Sequence, residues 1–151
     1  MATIEEKCLA TAKKFIDVGL NQKKIDSIMS EICAPDVALE APGVPTAAGA
    51  AEGFKIFREA VFGWTDAFPD VKVETASLIA NGNSVSFDVP YEGTHVKEFA
   101  GVPPTNEKVK GAELWFCQCD DEGRFKNVRI CEYGTPLRAA LIAAQAHGAH
   151  P

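Results

Sequence analysis

Apolar residues recur at helical spacing over residues 3–20, where Ile4, Cys8, Ala12, Phe15 and Ile16 are separated by lysines and acids. Thr3 and Glu6 have the spacing of a capping box, and Gly19 is expected to close this helix. A second, shorter helix is predicted over Lys23–Ile32 and is broken by Ala34-Pro35-Asp36. Val37–Pro42 reads as a short strand stopped by proline, and Gly43–Ala50 as a loop of small residues. Phe54, Phe57, Val61 and Trp64 mark one stripe of a third helix over about Ala51–Phe68. From Val71 the period shortens to two. Val71, Val73 and Thr75 precede Asn81-Gly82-Asn83, a hairpin signal, after which Val85, Phe87, Val89 and Tyr91 alternate with Ser86, Asp88 and Glu92. Lys108–Cys119 and Arg124–Tyr133 form two more strands around the turn Asp120–Gly123. Thr135 and Pro136 fit the cap and first position of a last helix, Leu137–Ala146, and residues 147–151 are expected to fray. Helices first, then a run of strands, then a helix predicts an α+β fold: one domain over residues 1–146, with helices packed on one face of a curved, mostly antiparallel sheet.

Composition narrows the function classes. The chain has 151 residues, enough for one domain with a real core, and it is 46% hydrophobic. A net charge of -6 argues against nucleic acid and against anionic membrane surfaces, both of which reward basic patches. No apolar run approaches the roughly 18 residues of a membrane span, and the first residues lack a charged-then-apolar signal, so a cytoplasmic location is expected. Cys8, Cys33, Cys117, Cys119 and Cys131 are scattered and odd in number, which predicts reduced, buried thiols. The spacing Cys117-Gln-Cys119 is too tight for a zinc site and has no histidine partner, so no metal is expected.

The connection Gly93-Thr-His-Val-Lys-Glu-Phe-Ala-Gly-Val-Pro-Pro-Thr-Asn106 joins two strands, and its paired prolines forbid regular pairing inside it. A loop of this length in a small domain points to a functional rim. It resembles the G-T-H-x-G-x-F-x-G-x-P-P-T-G signature of SnoaL-like polyketide cyclases, members of the NTF2-like superfamily. It departs at Val96-Lys97 and at Asn106, which stands where the signature ends in Gly; Asn tolerates the left-handed backbone best after Gly. Ala67-Phe-Pro-Asp-Val-Lys-Val-Glu74 is similar to the family's A-F-P-D-x-x-x-E. Gly123–Tyr133 occupies the position of its G-K-I-x-E-H-W-x-x-x-D element, with Val128-Arg129 where the family has His-Trp. The resemblance implies a cone-shaped half barrel whose interior is a ligand pocket closed by helices.

Four residues are candidates for chemistry. Along the last strand Lys126, Val128, Ile130 and Glu132 share one face, so Glu132 is a carboxylate at the end of an apolar row. The resemblance implies an acid/base residue near the end of this strand; strict counting reaches Tyr133, while Glu132 keeps the chemistry. Glu40 precedes Ala41-Pro42, where similar proteins carry a polar pocket residue. Glu113 alternates with Ala112 and Leu114 on a strand that has aromatics on both faces, so parity leaves its direction open. If Glu113 and Glu132 face one cavity, like-charge coupling raises one pKa and supplies an acid beside a base. His95, in the signature loop, is the fourth. Trp115, Phe15, Phe57, Phe62 and Trp64, with Val128 and Ile130, are candidate pocket walls.

The resemblance and these residues together imply cofactor-free acid/base rearrangement, as in a cyclase or isomerase, of a hydrophobic carbonyl-bearing metabolite of polyketide or terpenoid type. Two alternatives stand beside it: a non-catalytic small-molecule-binding module, and an epoxide hydrolase of the limonene-epoxide type, for which Ile130 stands where that family has an Asp. The outward face of the sheet, carrying Asn127, Arg129 and Cys131 with either Leu114/Phe116 or Trp115/Cys117, is expected to pair two copies into a dimer.

Overall fold

The computed structural model describes residues 1–44, 50–74 and 77–148. Its elements run α1 (Ile4–Lys14), a π-helical segment (Phe15–Asn21), α2 (Ile25–Ile32), β1 (Cys33–Glu40), α3 (Ala50–Ala67), β2 (Lys72–Val73), β3 (Leu78–Asn81), β4 (Ser84–Thr94), β5 (Lys108–Cys119), β6 (Phe125–Tyr133) and α4 (Leu137–Gly148). The sheet is ordered β1-β6-β5-β4-β2, with β3 also on β4, and it does not close. β1 runs parallel to β6 and every other pairing is antiparallel. The architecture is the expected α+β cone, with helices over one face of a curved sheet.

Local chemistry accounts for most boundaries. Thr3 and Glu6 form the reciprocal capping box at the start of α1. Gly19 does not end the first helix as expected. The chain widens into π-helix after Lys14 and turns only at Gln22, and Gly19 instead lets Ile25 and Phe15 approach, since a Cβ there would lie 3.2 Å from Ile25 Cδ1. β1 starts earlier than the period suggests and runs through Pro35. An edge strand tolerates proline, and the β1–β6 register shifts between Cys33 and Ala38. Gly53 lets α3 lie against β1, because a Cβ there would fall 1.9 Å from the Val37 carbonyl. The segment expected as one strand from Val71 is two, β2 and β3, both on β4; Thr75 lies outside the described residues, as does most of the loop predicted at Gly43–Ala50. The free edge of β2 is covered by the Asn21 side chain, which donates to Val73 O at 2.9 Å and accepts from Val73 N at 2.8 Å.

β4 buries every second residue, and Val85, Phe87, Val89 and Tyr91 point into the core beside Trp115, Cys117, Phe125 and Val128. Cys8, Cys33, Cys117 and Cys119 are buried; Cys131 is exposed on the outer face, against the expectation for it. Among the described residues no helix is long and apolar enough to cross a membrane, and no group of three or more His, Cys, Asp or Glu could hold a metal ion.

Two of the three segments that carry the family resemblance meet in space. Asp70 accepts from Thr94 N and from Thr94 Oγ1, each at 2.7 Å; the Thr94 backbone bond is the main reason its pKa falls below the ordinary value. Phe68 stacks on His95 with centroids 5.3 Å apart and meets Phe99 edge-on at 5.6 Å. Val96 N donates to Ala67 O, and Gly93 leaves room for Phe68, whose Cβ would lie 3.2 Å from an added Cβ. Ala67–Asp70 and Gly93–Phe99 therefore form one joint between the end of α3 and the end of β4. Asn106, at φ 58, takes the left-handed conformation for which a glycine would otherwise be used.

Candidate active site

A cavity of about 320 Å³ opens between the concave face of the sheet and helices α3 and α4. That volume is within the range of small-molecule sites. Its wall is mainly apolar: Leu39 from β1, Phe57, Val61 and Trp64 from α3, Trp115 from β5, Ile130 from β6 and Leu137 from α4. Phe99 and Ala100 of the signature loop form part of the rim. The charged residues among the described lining are Glu113, Glu132 and Arg138.

Glu113 and Glu132 are direct cross-strand partners in the β5–β6 register, on the face of the sheet that looks into the cavity. Side chains opposite one another on antiparallel strands have Cβ atoms about 5 Å apart. Trp115 Nε1 donates to Glu113 Oε1 at 3.2 Å, leaving the second carboxyl oxygen free for the cavity. Burial pushes the Glu113 carboxyl up to about 7; the Glu132 charge adds to this, and the Trp115 hydrogen bond opposes it. Glu132 Oε2 accepts from Leu137 N at 2.6 Å, at the first turn of α4, where the helix dipole suits a carboxylate. The arrangement holds one carboxyl group in a dry place beside another that is gripped by a helix end. Such a pair places a proton donor, Glu113, beside a carboxylate acceptor in one cavity.

Tyr91, which the sequence reading did not single out, lies beside this pair on the inner face. It faces Gly111 in register, and a Cβ on Gly111 would fall 2.2 Å from the Tyr91 hydroxyl, so the glycine makes room for the phenol. Burial pushes the phenol well above its ordinary value and the charges of Glu113 and Glu132 push further, so it keeps its proton. The signal in the sequence was Gly111 opposite an aromatic, which becomes readable only once register is known.

The other candidates fall elsewhere. Glu40 is not in the cavity: strand alternation turns Leu39 inward and Glu40 outward, where it pairs with Arg129 at 3.6 Å with both side chains 74% exposed. His95 is fully buried away from the cavity. Thr105 N donates to its Nδ1 at 3.2 Å, which puts the proton on a buried Nε2 without a hydrogen-bond partner among the described residues. Burial lowers its pKa against the pull of the Lys97 backbone, so it is a neutral anchor of the loop. Phe15 and Val128 are core residues behind the wall: Phe15 packs on Trp115 with centroids 4.7 Å apart and on Phe57 at 5.9 Å. Phe62 faces outward and is exposed. Phe57, Trp64, Trp115 and Ile130 do line the cavity.

The sequence profile of the SnoaL-like polyketide cyclases matches residues 10–141. The chain belongs to the SnoaL-like polyketide cyclase family. Among solved structures, this family member is similar to a candidate SnoaL-like polyketide cyclase of Jannaschia sp. CCS1, with TM-score 0.80 and 20% identity over 97% of this chain and 96% of that one. AclR, a candidate hydroxylase of Streptomyces galilaeus, superposes with TM-score 0.73 at 19% identity, over 92% and 98% of the two chains. IdmH, a candidate polyketide cyclase of Streptomyces antibioticus, does so with TM-score 0.70 at 20% identity, over 92% and 98%. At these identities the structural likeness speaks for the fold. Among curated proteins none matches the chain.

Proposed function

We propose that this SnoaL-like protein is a cofactor-free cyclase or isomerase of secondary metabolism that rearranges a hydrophobic, carbonyl-bearing compound of polyketide or terpenoid type. The observation that carries the reading is the opposition of Glu113 and Glu132 across β5 and β6 in the wall of a mainly apolar cavity. Glu132 removes a proton alpha to the substrate carbonyl, and protonated Glu113 delivers a proton to the enolate oxygen or the leaving group. Leu137 N and Trp115 Nε1 fix the two carboxyl groups for these roles. The epoxide-hydrolase reading loses support, because Arg129 points out of the cavity onto Glu40.

The reading is tested without the natural substrate. A bicyclic ketone such as α-tetralone, held in D₂O with the protein, should exchange its alpha protons faster than in buffer. Glu132→Gln keeps an acceptor for the Leu137 amide and should lower that exchange by about 10²-fold or more while retaining the fold. Unchanged exchange in a folded variant rejects Glu132 as the base. A wild-type protein that binds the ketone without accelerating exchange is a binding module instead.

The same chain is proposed to work as a dimer through its outer sheet face, as the resemblance to the NTF2-like superfamily implies. Leu114 and Phe116, which strand parity left open, point outward and are 38% and 49% exposed, beside Asn127, Cys131 and the Glu40–Arg129 pair. An apolar centre flanked by one acid and one base is self-complementary about a two-fold axis. Light scattering at micromolar concentration should report twice the 16.2 kDa chain, and Phe116→Glu should halve it. A 16.2 kDa species for the wild type removes this assembly.

A further inference from the structure

The chain has four arginines, and their partners differ in kind. Arg58 pairs with Asp26 at 3.1 Å, Arg124 with Asp120 at 2.9 Å, and Arg129 with Glu40 at 3.6 Å. Arg138 has no carboxylate partner among the described residues, although it is the cation in the cavity lining. Glu132, the nearest acid in sequence, is committed to the Leu137 amide instead. Arg138 is also the second residue of α4, a helix with no acid in its first turn. A basic residue there opposes the helix dipole, so local helix energetics do not explain it.

What holds Arg138 is a strained turn. Its Nε donates to Ala100 O at 3.2 Å, and Ala100 has φ 51, a conformation alanine disfavours. The turn is closed on both sides by backbone bonds between Phe99 and Val102, at 3.0 and 2.9 Å. With Nε engaged, the two terminal nitrogens of the guanidinium remain as a planar pair of donors at the cavity mouth. That pair matches two coplanar oxygens of a carboxylate.

We propose that Arg138 is the specificity-determining contact for a carboxylate on the ligand, seated at the mouth while the apolar body fills the cavity. This rests on the reading of the cavity as the substrate site. Glu132, the base of the pair, repels an anion from the interior, so the charged end stays at Arg138 and the neutral carbonyl end turns toward the two acids. The substrate class is thereby narrowed to hydrophobic keto acids and related carboxylates. Arg138 acts by orienting the ligand, and takes no part in proton transfer.

The test compares β-naphthoate with its methyl ester by titration calorimetry at low salt. Wild-type protein should prefer the carboxylate by about fivefold or more, with the preference shrinking as salt rises, as for an exposed ion pair. Arg138→Met should reverse the preference in favour of the ester, and Arg138→Lys should keep part of it. A wild-type protein that binds the ester as tightly as the carboxylate overturns the proposal. So does an equal loss for both probes in Arg138→Met, which marks a latch for the Ala100 turn only. Either result, with α-tetralone exchange intact, leaves the catalytic reading standing. Failure of both probes to bind, together with absent exchange, removes both.

Discussion

Replacing Glu113 with Gln is expected to stabilise the protein above neutral pH by up to about 3 kcal/mol while removing the acid from the cavity, at about 1.4 kcal/mol per pH unit by which the native carboxyl is displaced. The Glu113 carboxyl is pushed up to about 7 in the folded state, from an ordinary 4.5, so the native protein holds this proton more tightly than the unfolded chain does. Stability from that proton is fully present below about 4.5 and is lost as pH rises through about 7. Gln keeps a carbonyl acceptor for Trp115 Nε1 and has no charge to desolvate. Urea unfolding between about pH 5 and pH 8 should show wild-type stability falling relative to the variant by about 3 kcal/mol at most. Parallel curves would remove the buried proton from the mechanism. In the exchange assay, the alkaline limb near 7 set by this group should vanish with Glu113. A gain in stability joined to a loss of activity is the expected mark of a group kept for chemistry.

Phe68→Ala is expected to cost about 3–5 kcal/mol, the range for emptying a packed aromatic site. Phe68 is 1% exposed and holds the Gly93–Phe99 segment at three points: His95 by stacking, Phe99 by an edge contact, and Gly93 by close approach. Its loss leaves buried His95 without its ring partner and frees the loop that carries Ala100 to the cavity rim. Urea unfolding reads the first effect, and faster amide exchange at Val96 and Val102 reads the second. Phe62→Ala is the control, since Phe62 is 52% exposed and its removal should cost well under the core value. Equal costs for the two variants would show that the joint does not organise the loop.

Much of the fold was legible because periodicity reports burial. The switch from helical spacing to alternation at Val71, the Thr3–Glu6 capping box and the alternation along β4 depend on short-range geometry, and the structure keeps all three. Gly19 misled because a glycine serves either to end a helix or to admit a neighbour, and only Ile25 packing against it decides which. Pro35 misled because its cost depends on whether its strand lies at an edge, which is a property of the sheet.

The site divides in the same way. The chain by itself determined that Glu132 ends an apolar row and that the loop from Gly93 to Asn106 is a built connection. Composition with its net charge of -6 pointed away from nucleic acid. Tertiary structure alone decided which of Glu40, Glu113 and His95 shares the cavity with Glu132. Strand alternation fixes that Leu39 and Glu40 face opposite ways, but choosing the inward one requires knowing which side the helices cover. Aromatics on both faces of β5 hid the direction of Glu113 until Trp115 packed against Phe15 and left Phe116 outside. Cross-strand register is a long-range property, so the Glu113–Glu132 opposition and the place of Tyr91 over Gly111 appear only when β4, β5 and β6 are aligned.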